Sequence, residues 1–270
     1  MVPLHFAIVI AAHRALHFAE RCIESVLWQV GDYQIDLFYR DDASGYGEDD
    51  LLYLRKLVKT AGGTFIGGKE RQYQIGSLDI IMRQIDDPQT IVCELDGDDY
   101  LLPHALRVVS EAYSDPLVAL TYGNTLVDFR PYQDWHYFGR DKCYTNTSFP
   151  QEVWQQGSFR QDEFPCFHLR TFRRWLWDRI DPQHFRRADG SFFRGSGDSA
   201  FMYPMIEMLA EPQHVRFIEE PIYVYRLHEN NVWRTDKPSQ ANDFAYIRSL
   251  RPYSPIDRVI LQRLLSSEEL

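Results

Sequence analysis

The sequence predicts an α/β fold in which a mostly parallel central sheet is flanked by helices. Three observations support this prediction. Short apolar runs alternate with helix-forming stretches between residues 6 and 122, as expected for parallel strands joined by crossover helices. Hydrophobic residues make up 44% of the chain, and 270 residues are enough for one α/β domain with a full core. We therefore expect a single domain over residues 1–270.

The elements of the first half each have a local signal. Strands are expected at residues 6–10, 35–39, 64–66, 90–95 and 118–122. The helices fill the intervals between them. Apolar residues recur at helical spacing before Gly31, acidic residues 48–50 suit the start of the second helix, and Gly62 can end it. Residues 78–85 predict a third helix, and Pro103 suits the first turn of a fourth.

The alternation weakens in the second half. Residues 128–197 are rich in Trp, Tyr, Phe and Arg without clear periodicity, so we expect a partly irregular region over the sheet edge that helps to bind substrate. Beyond it we expect a helix at residues 199–209, a strand pair at 215–218 and 222–225, and an extended arm at 230–242. Ser254 and Pro255 predict the N-cap and first turn of a C-terminal helix.

The composition excludes several classes of function. A formal net charge of −10 argues against a nucleic acid partner, which would need a basic face. No apolar stretch approaches the roughly 18 residues of a membrane span, so no transmembrane segment is expected. The four cysteines lack CxxC spacing, which favours neither a zinc site nor a disulfide framework. We expect a cytoplasmic protein, with peripheral attachment to a membrane left open.

The acidic turn Asp96-Gly97-Asp98-Asp99 carries the clearest chemical signal. It directly follows the predicted fourth strand, and open α/β sheets bind their ligands at the carboxyl ends of the strands. Hard oxygen ligands suit Mg²⁺ or Mn²⁺, which commonly bridge carboxylates to substrate phosphates. A solvated turn that caps the following helix is an equal alternative for this segment taken alone.

Three further segments precede this turn along the chain. They are residues 8–14 (Ile-Val-Ile-Ala-Ala-His-Arg), residues 21–29 (Arg-Cys-Ile-Glu-Ser-Val-Leu-Trp-Gln) and residues 41–44 (Asp-Asp-Ala-Ser). Together the four resemble the GT-A glycosyltransferases, in particular the inverting family 2. The resemblance covers residues 6–129 and implies a GT-A fold. Residues 1–129 would bind a nucleoside diphosphate sugar, residues 130–230 would shape the acceptor side, and residues 231–270 would form a C-terminal arm and helix.

The resemblance implies a nucleotide site in the first half. Ala11 and His13 would line the nucleotide pocket, Asp42 would accept a hydrogen bond from the base, and Arg71 would lie near the nucleotide. Two alternatives remain open from the residues themselves. Asp41 and Asp42 can form an Asx-type turn, and Arg71 can be a solvated surface arginine.

The resemblance also implies a Mn²⁺ or Mg²⁺ site at the acidic turn. Asp99 is expected to coordinate the ion directly, with Asp98 on the ribose or at a second position on the ion, and Asp96 in a supporting role or in contact with substrate. His228 corresponds to a histidine that completes the metal shell in some family members. A surface or hydrogen-bonded histidine is the alternative at that position.

An inverting enzyme also needs a base for the acceptor hydroxyl. Asp198, at the start of a late helix, occupies the position of that base in the family, and it would also suit a helix cap. His168 and Arg170 are candidate contacts of the diphosphate or the acceptor. One or two aromatic side chains are expected to stack on sugar rings. The candidates are Trp135, Tyr137, Phe138, Trp154, Trp175 and Trp177.

Taken together, the resemblance and these residues imply a metal-dependent inverting glycosyltransferase. It would move a sugar from a nucleoside diphosphate sugar, with a UDP-sugar favoured, to an acceptor hydroxyl that the sequence does not identify. Synthesis of cell-surface polysaccharide or lipopolysaccharide is a family-level expectation. The rivals are a sugar nucleotidyltransferase, whose glycine-rich basic loop the segment Ala-Ala-His-Arg at residues 11–14 matches poorly, and a catalytically silent binding protein of the same fold.

Overall fold

The computed structural model describes residues 3–128, 146–231 and 235–266. Within these ranges the chain forms one eight-stranded sheet in the order β3-β2-β1-β4-β7-β6-β8-β5. The strands are β1 (Leu4–Ala12), β2 (Tyr33–Asp41), β3 (Thr64–Gly67), β4 (Ile91–Asp96), β5 (Tyr100–Leu101), β6 (Leu120–Asp128), β7 (Arg170–Arg173) and β8 (Val215–Arg226). The sheet confirms the predicted fold class, and each strand predicted in the first half is present.

The helices lie on both faces of the sheet. They are α1 (Leu16–Leu27), α2 (Glu48–Thr60), α3 (Tyr73–Met82), α4 (Ala105–Tyr113), α5 (Gln151–Gln156), α6 (Arg174–Trp177), α7 (Gly197–Leu209), α8 (Lys237–Ser249) and α9 (Arg258–Ser266). Short 3-10 helices cover Pro182–Phe185 and Pro212–His214. None of the helices in the described ranges is both long and apolar enough to cross a bilayer.

Strand β1 divides the hydrophobic core into two clusters. Its side chains alternate, so that Phe6 and Ile8 pack with α1, α2 and α4 on one face, whereas Ala7 and Val9 pack with α3 and α7 on the other. This alternation follows from the period of two in a β-strand. It explains why residues 6–10 read as one uninterrupted apolar run, since both faces of the strand are covered.

The order of the first four strands creates a crevice. Strands β1, β2, β3 and β4 run parallel, and β1 has β2 on one side and β4 on the other. The chain therefore runs outward to β3 and returns to β4 across β1, which is the topology that opens a ligand crevice at the carboxyl ends of the strands. In this register Ala11 lies beside Asp96 and Ala12 lies beside Asp41.

Two predictions for the second half were wrong in detail. The expected strand pair is one strand, β8, which pairs with β6 on both sides of an irregularity. Ile218 pairs with Gly123 and Tyr223 with Thr125, so residues 219–222 of β8 bulge opposite a single residue of β6. The extended arm is also incorrect, because helix α8 begins at Lys237 inside it. Its first turns are polar and lack a clear apolar stripe.

The C-terminal helix begins later than predicted. Helix α9 starts at Arg258, and the Asp257 carboxylate accepts hydrogen bonds from the amides of Val259 and Ile260 at 2.9 and 3.3 Å. Asp257 is therefore the N-cap that Ser254 was expected to provide. The predicted division of the chain into functional parts stays a prediction.

Candidate active site

A cavity of about 780 Å³ opens at the carboxyl ends of β1, β2 and β4. Apart from the candidate stacking aromatics, every residue predicted for the site lines this cavity, with the exception of Asp99. Residues of helices α7 and α8 complete its wall, among them Asp198 and Gln240. The fold thus brings the predicted nucleotide residues of the first half together with the candidate base of the second half.

The acidic turn rests directly on β1. The Gly97 amide donates a hydrogen bond to the Ala11 carbonyl oxygen at 3.4 Å. A Cβ atom at Gly97 would lie only 2.5 Å from the Cβ of Ala12, which is closer than two carbon atoms can approach without a shift. Glycine at this position therefore lets the turn lie against the strand and present its neighbours to the cavity.

Asp99 faces away from the cavity, toward β8. It is fully buried, and its two carboxylate oxygens accept hydrogen bonds from the Tyr223 hydroxyl and the Arg226 amide, both at 2.7 Å. Burial raises the pKa of Asp99 well above its usual range, and the nearby carboxylates of Asp98 and Asp96 raise it further. These contacts anchor the turn to β8, so the geometry does not favour Asp99 as the direct metal ligand that the sequence suggested.

Tyr223→Phe should lower the free energy of unfolding by about 1–3 kcal/mol, the cost of leaving a buried hydrogen-bonding group unsatisfied. The Tyr223 hydroxyl donates to Asp99 and also accepts from the Asp96 amide at 3.2 Å. Urea denaturation measures the loss. The matched control is Tyr33→Phe, which removes an exposed hydrogen bond to the Val30 carbonyl and should change stability by less than about 0.5 kcal/mol. Equal stability of the two variants would contradict the anchoring role.

Asp96 and Asp98 present partly exposed carboxylates to the cavity. Their side chains are 25% and 27% exposed. One carboxylate oxygen from each of Asp96, Asp98 and Asp99 lies within 4.8 Å of the others, a spacing that one cation can span. Oxygen donors with room left for substrate phosphates suit Mg²⁺ or Mn²⁺. The turn therefore fits the expected ion, with Asp98 as the best exposed carboxylate.

His228 meets Asp98 although the two are 130 residues apart in the sequence. Its Nε2 lies 2.8 Å from the Asp98 carboxylate. The Asn230 amide donates to Nδ1 at 3.3 Å, so in this arrangement the proton resides on Nε2 and is donated to Asp98. The ring packs against Phe18, with centroids 4.6 Å apart. His228 is thus a hydrogen-bond partner of the acidic turn at the cavity wall.

The paired aspartates after β2 have separate structural tasks. The Asp41 carboxylate accepts hydrogen bonds from the amide and hydroxyl of Ser44, which is the turn that the sequence left open as an alternative. The two oxygens of Asp42 accept from the amides of Gln72 and Tyr73, at 2.7 and 2.8 Å, at the start of α3. Asp42 thereby joins the loop after β2 to α3 at the cavity floor.

The other predicted nucleotide residues lie around Asp42. The Nδ1 of His13 is 2.8 Å from the Asp42 carbonyl oxygen, so Nδ1 carries the proton. Burial lowers the pKa of His13, although the bond to this carbonyl opposes the shift. The Arg71 guanidinium is exposed and lies 4.9 Å from the centre of the Tyr73 ring. Arg71 therefore stands at the cavity rim.

Asp198 is held by a buried arginine. Its Oδ2 accepts from Arg170 Nη2 at 2.7 Å, and its Oδ1 accepts from the Ser199 amide at 2.8 Å in the first turn of α7. Arg170 also donates to Glu94 at 2.7 Å and to the Cys166 carbonyl oxygen at 2.7 Å. Burial by itself would lower the pKa of Arg170, but the carboxylates of Glu94 and Asp198 raise it above its usual value.

Arg170 is a buried residue of the cavity wall, and its predicted contact with the diphosphate or the acceptor stays a prediction. It is only 3% exposed, and its guanidinium donates to Glu94, Asp198 and the Cys166 carbonyl oxygen. The antiparallel register of β4 and β7 sets Glu94 opposite Arg170, which places the ion pair directly beneath Asp198. The arginine thus holds the carboxylate of the candidate base in place from β7.

His168 is a buried part of the same cluster. Its ring stacks on Tyr223 with centroids 4.5 Å apart, and its nitrogens lie 3.6 Å from Glu94 and 3.3 Å from Asp96. Burial alone would raise the pKa of Asp96, but His168, Arg170 and Gln74 together outweigh it, so that this pKa lies below its usual value. His168 thus supports the charged state of Asp96 at the cavity wall.

Several residues of the site were missed in the sequence. Glu94 is the clearest, and its signal was a carboxylate within an otherwise apolar buried strand, which demands a partner. Gln74 donates to both Glu94 and Asp96, at 2.7 and 3.2 Å.

Among the candidate stacking aromatics, Trp175 and Trp177 belong to the core and Trp154 packs against it. Trp135, Tyr137 and Phe138 lie outside the described residues. Aromatic rings that do line the cavity are those of Phe18, Tyr73, Phe167, Phe193 and Tyr225.

Solved structures of glycosyltransferases share this fold. S. aureus TarS 1–349, solved with UDP-GlcNAc, is 11% identical and aligns over 98% of this chain and 71% of its own, with a TM-score of 0.62. The chain spans 42% of S. aureus TarS, at a TM-score of 0.58. Mannosyltransferase PcManGT from Pyrobaculum calidifontis, solved with GDP-Man and Mn²⁺, is 16% identical over 99% of this chain and 70% of its own, with a TM-score of 0.59. At these identities the likeness establishes the fold.

The sequence family is established separately. No curated protein matches the chain. The model of glycosyl transferase family 2, by contrast, matches residues 7–180, which include most of β1, the acidic turn and the Glu94–Arg170 pair. Together with the cavity at the carboxyl ends of β1 and β4, this match identifies the chain as a glycosyltransferase that belongs to glycosyl transferase family 2.

Proposed function

We propose that this enzyme transfers a sugar from a nucleoside diphosphate sugar to an acceptor hydroxyl, with Mn²⁺ or Mg²⁺ and with inversion at the anomeric carbon. A UDP-sugar is the favoured donor. One observation carries the proposal: the partly exposed carboxylates of Asp96 and Asp98 line the same cavity as Asp198. An acidic turn for a metal diphosphate and a separate carboxylate for the acceptor are the two parts that direct displacement needs.

Asp98 is the residue that we assign to the metal, with Asp96 beside it. This assignment departs from the sequence-based choice of Asp99 because Asp99 is fully buried against β8 and does not line the cavity. His228 would steady the Asp98 carboxylate or join it on the ion. When bound, the ion would stabilise the negative charge on the departing diphosphate.

Ala11, His13, Asp42 and Arg71 are assigned to the nucleotide. Ala11 lies on β1 beside Asp96, where the strand leaves room for a ligand. Each Asp42 oxygen retains a free lone pair after its bond to the start of α3, so the carboxylate can still accept a hydrogen bond from a base. Arg71, with its charge exposed at the rim, suits the diphosphate.

Asp198 is assigned as the base. It would accept the proton of the acceptor hydroxyl as the oxygen attacks the anomeric carbon and the bond to the diphosphate breaks. Arg170 keeps the carboxylate in one orientation through the hydrogen bond from its Nη2. Attack from the side opposite the diphosphate inverts the anomeric configuration.

The related structures support a nucleotide sugar without choosing the base. TarS was solved with UDP and UDP-GlcNAc, and the mannosyltransferase with GDP-Man and Mn²⁺. Membership of a glycosyltransferase family leaves the nucleotidyltransferase alternative without support. A catalytically silent member of the family is the remaining rival. Only an activity measurement distinguishes it from an active enzyme, because both would bind the nucleotide sugar.

A donor panel tests the proposal. The purified protein is incubated with UDP-glucose, UDP-GlcNAc and GDP-mannose in the presence of Mn²⁺, Mg²⁺ or EDTA, and release of the nucleoside diphosphate is measured. We expect release from UDP-sugars that requires the divalent ion. Calorimetry with UDP and Mn²⁺ measures binding in parallel. Binding without release from any donor would favour the silent protein, and release that persists in EDTA would contradict the metal site.

A further inference from the structure

Helix α8 lies outside residues 7–180, the part that matches the family, yet it reaches the site. Its Asp243 is 3% exposed and is the acceptor of four hydrogen bonds. Oδ1 accepts from Arg187 Nε at 2.8 Å, and Oδ2 accepts from Arg187 Nη2 at 2.7 Å. Oδ2 also accepts from the backbone amides of Arg194 and Gly195 at 2.8 and 3.0 Å.

These two amides open the loop that leads into the base. Residues 194–197, the base loop, immediately precede Asp198. The Ser196 hydroxyl donates to the Gln240 carbonyl oxygen of α8 at 3.1 Å. A Cβ atom at Gly195 would lie 2.7 Å from the Cα of Gln240, so the loop backbone is packed against the helix backbone. Asp243 and Gln240 thus hold the base loop on one side.

The backbone of the base loop is itself constrained. Ser196 has a φ of +53°, in the left-handed region that a residue with a side chain rarely adopts. Its carbonyl oxygen accepts from the amide and the hydroxyl of Ser199, so Ser196 closes the first turn of α7 around Asp198. Such a conformation persists only where the surroundings hold it in place. The contacts from α8 provide that support.

We propose that Asp243 is a positioning residue for catalysis, which holds the base loop so that Asp198 points at the acceptor hydroxyl. The inference rests on the proposed function of Asp198 as base. Arg170 fixes the Asp198 carboxylate from β7, and Asp243 fixes its backbone from α8. A displacement of about 1 Å in a reacting group can lower a rate by about 100-fold, so the loss of either support reduces kcat.

Asp243→Ala is the direct test. We expect kcat for sugar transfer to fall by about 10- to 100-fold, while the Kd for UDP with Mn²⁺ stays within about twofold because the nucleotide residues lie on other elements. Asp243→Asn retains an oxygen for the Arg194 and Gly195 amides and loses the bond from Arg187 Nε, so its kcat should lie between those of the wild type and Asp243→Ala. The hydrogen-exchange rates of the Arg194 and Gly195 amides should be lowest in the wild type, higher in Asp243→Asn and highest in Asp243→Ala.

The matched control is Asp257→Ala. That residue also accepts two backbone amides, at the start of α9, but it is exposed and far along the chain from the base loop. Its kcat should equal that of the wild type. Gly195→Ala is a second variant, in which Asp243 is intact and the new methyl group pushes the loop off α8. We expect the same loss of kcat with unchanged UDP binding.

The outcomes separate this inference from the function on which it rests. If Asp198→Asn abolishes transfer while Asp243→Ala, Asp243→Asn and Gly195→Ala keep the kcat of Asp257→Ala, the positioning role is wrong and the base assignment stands. If Asp198→Asn keeps full activity, the base assignment fails and the role of Asp243 falls with it. A graded loss of kcat with unchanged UDP binding supports both.

Discussion

Asp198→Asn should lower kcat for sugar transfer by about 10²- to 10⁴-fold, which is the range that a positioned general base contributes. The carboxamide has nearly the same shape as the carboxylate but cannot accept a proton from the acceptor hydroxyl. Since Asp198 is bonded to Arg170 and not to the acidic turn, the Kd for UDP with Mn²⁺ should change little. Steady-state transfer assays and calorimetry measure the two quantities.

The control for Asp198→Asn is Asp162→Asn. Asp162 is partly exposed, and its carboxylate accepts a solvent-exposed hydrogen bond from the amide of the next residue in a loop. The control makes the same chemical change with no expected effect on transfer. If the two variants transfer sugar at equal rates, Asp198 is not the base, and another carboxylate or an acceptor-supplied base must take its place.

Asp98→Ala should abolish metal-dependent release of the nucleoside diphosphate, with a loss of at least about 10²-fold in kcat, as expected when one group that stabilises developing charge is removed. It should also weaken the binding of Mn²⁺ in the presence of UDP. The reason is that Asp98 combines a partly exposed carboxylate with a place on the cavity wall. Calorimetry with Mn²⁺ and UDP measures the binding.

Asp99→Asn provides the contrast within the same turn. Asp99 is buried against Tyr223 and Arg226. Its replacement should lower the free energy of unfolding by about 1–3 kcal/mol, and it should leave the affinity for Mn²⁺ within a few-fold of the wild type. If instead Asp99→Asn loses Mn²⁺ binding and Asp98→Ala retains it, the sequence-based choice of ligand was the correct one.

The acidic turn shows how far the sequence alone reaches. Its position after a buried strand was predictable, because an apolar run that ends in carboxylates must stop at the edge of the sheet. The different positions of Asp98 and Asp99 were not predictable from the sequence. The two are adjacent and chemically identical, and only the approach of β8, more than 120 residues later, assigns one to the core and the other to the cavity.

The supports of Asp198 were hidden for related reasons. Its place at the start of α7 was predictable from local pattern, but its partner Arg170 depends on the register between β4 and β7, which pairs residues 76 positions apart. The role of Asp243 was harder still to predict, because the polar start of α8 resembles an extended arm in the sequence. Long-range pairing and a polar helix leave little periodic signal in a single sequence.

The anomeric configuration of the product tests the central claim most directly. The donor that the panel identifies is incubated with its metal and an acceptor, and the linkage is read by proton NMR during the first turnovers. An α-linked nucleotide sugar should give a β-linked product, because Asp198 directs the acceptor from the side opposite the diphosphate. A product that retains the α configuration would contradict the account.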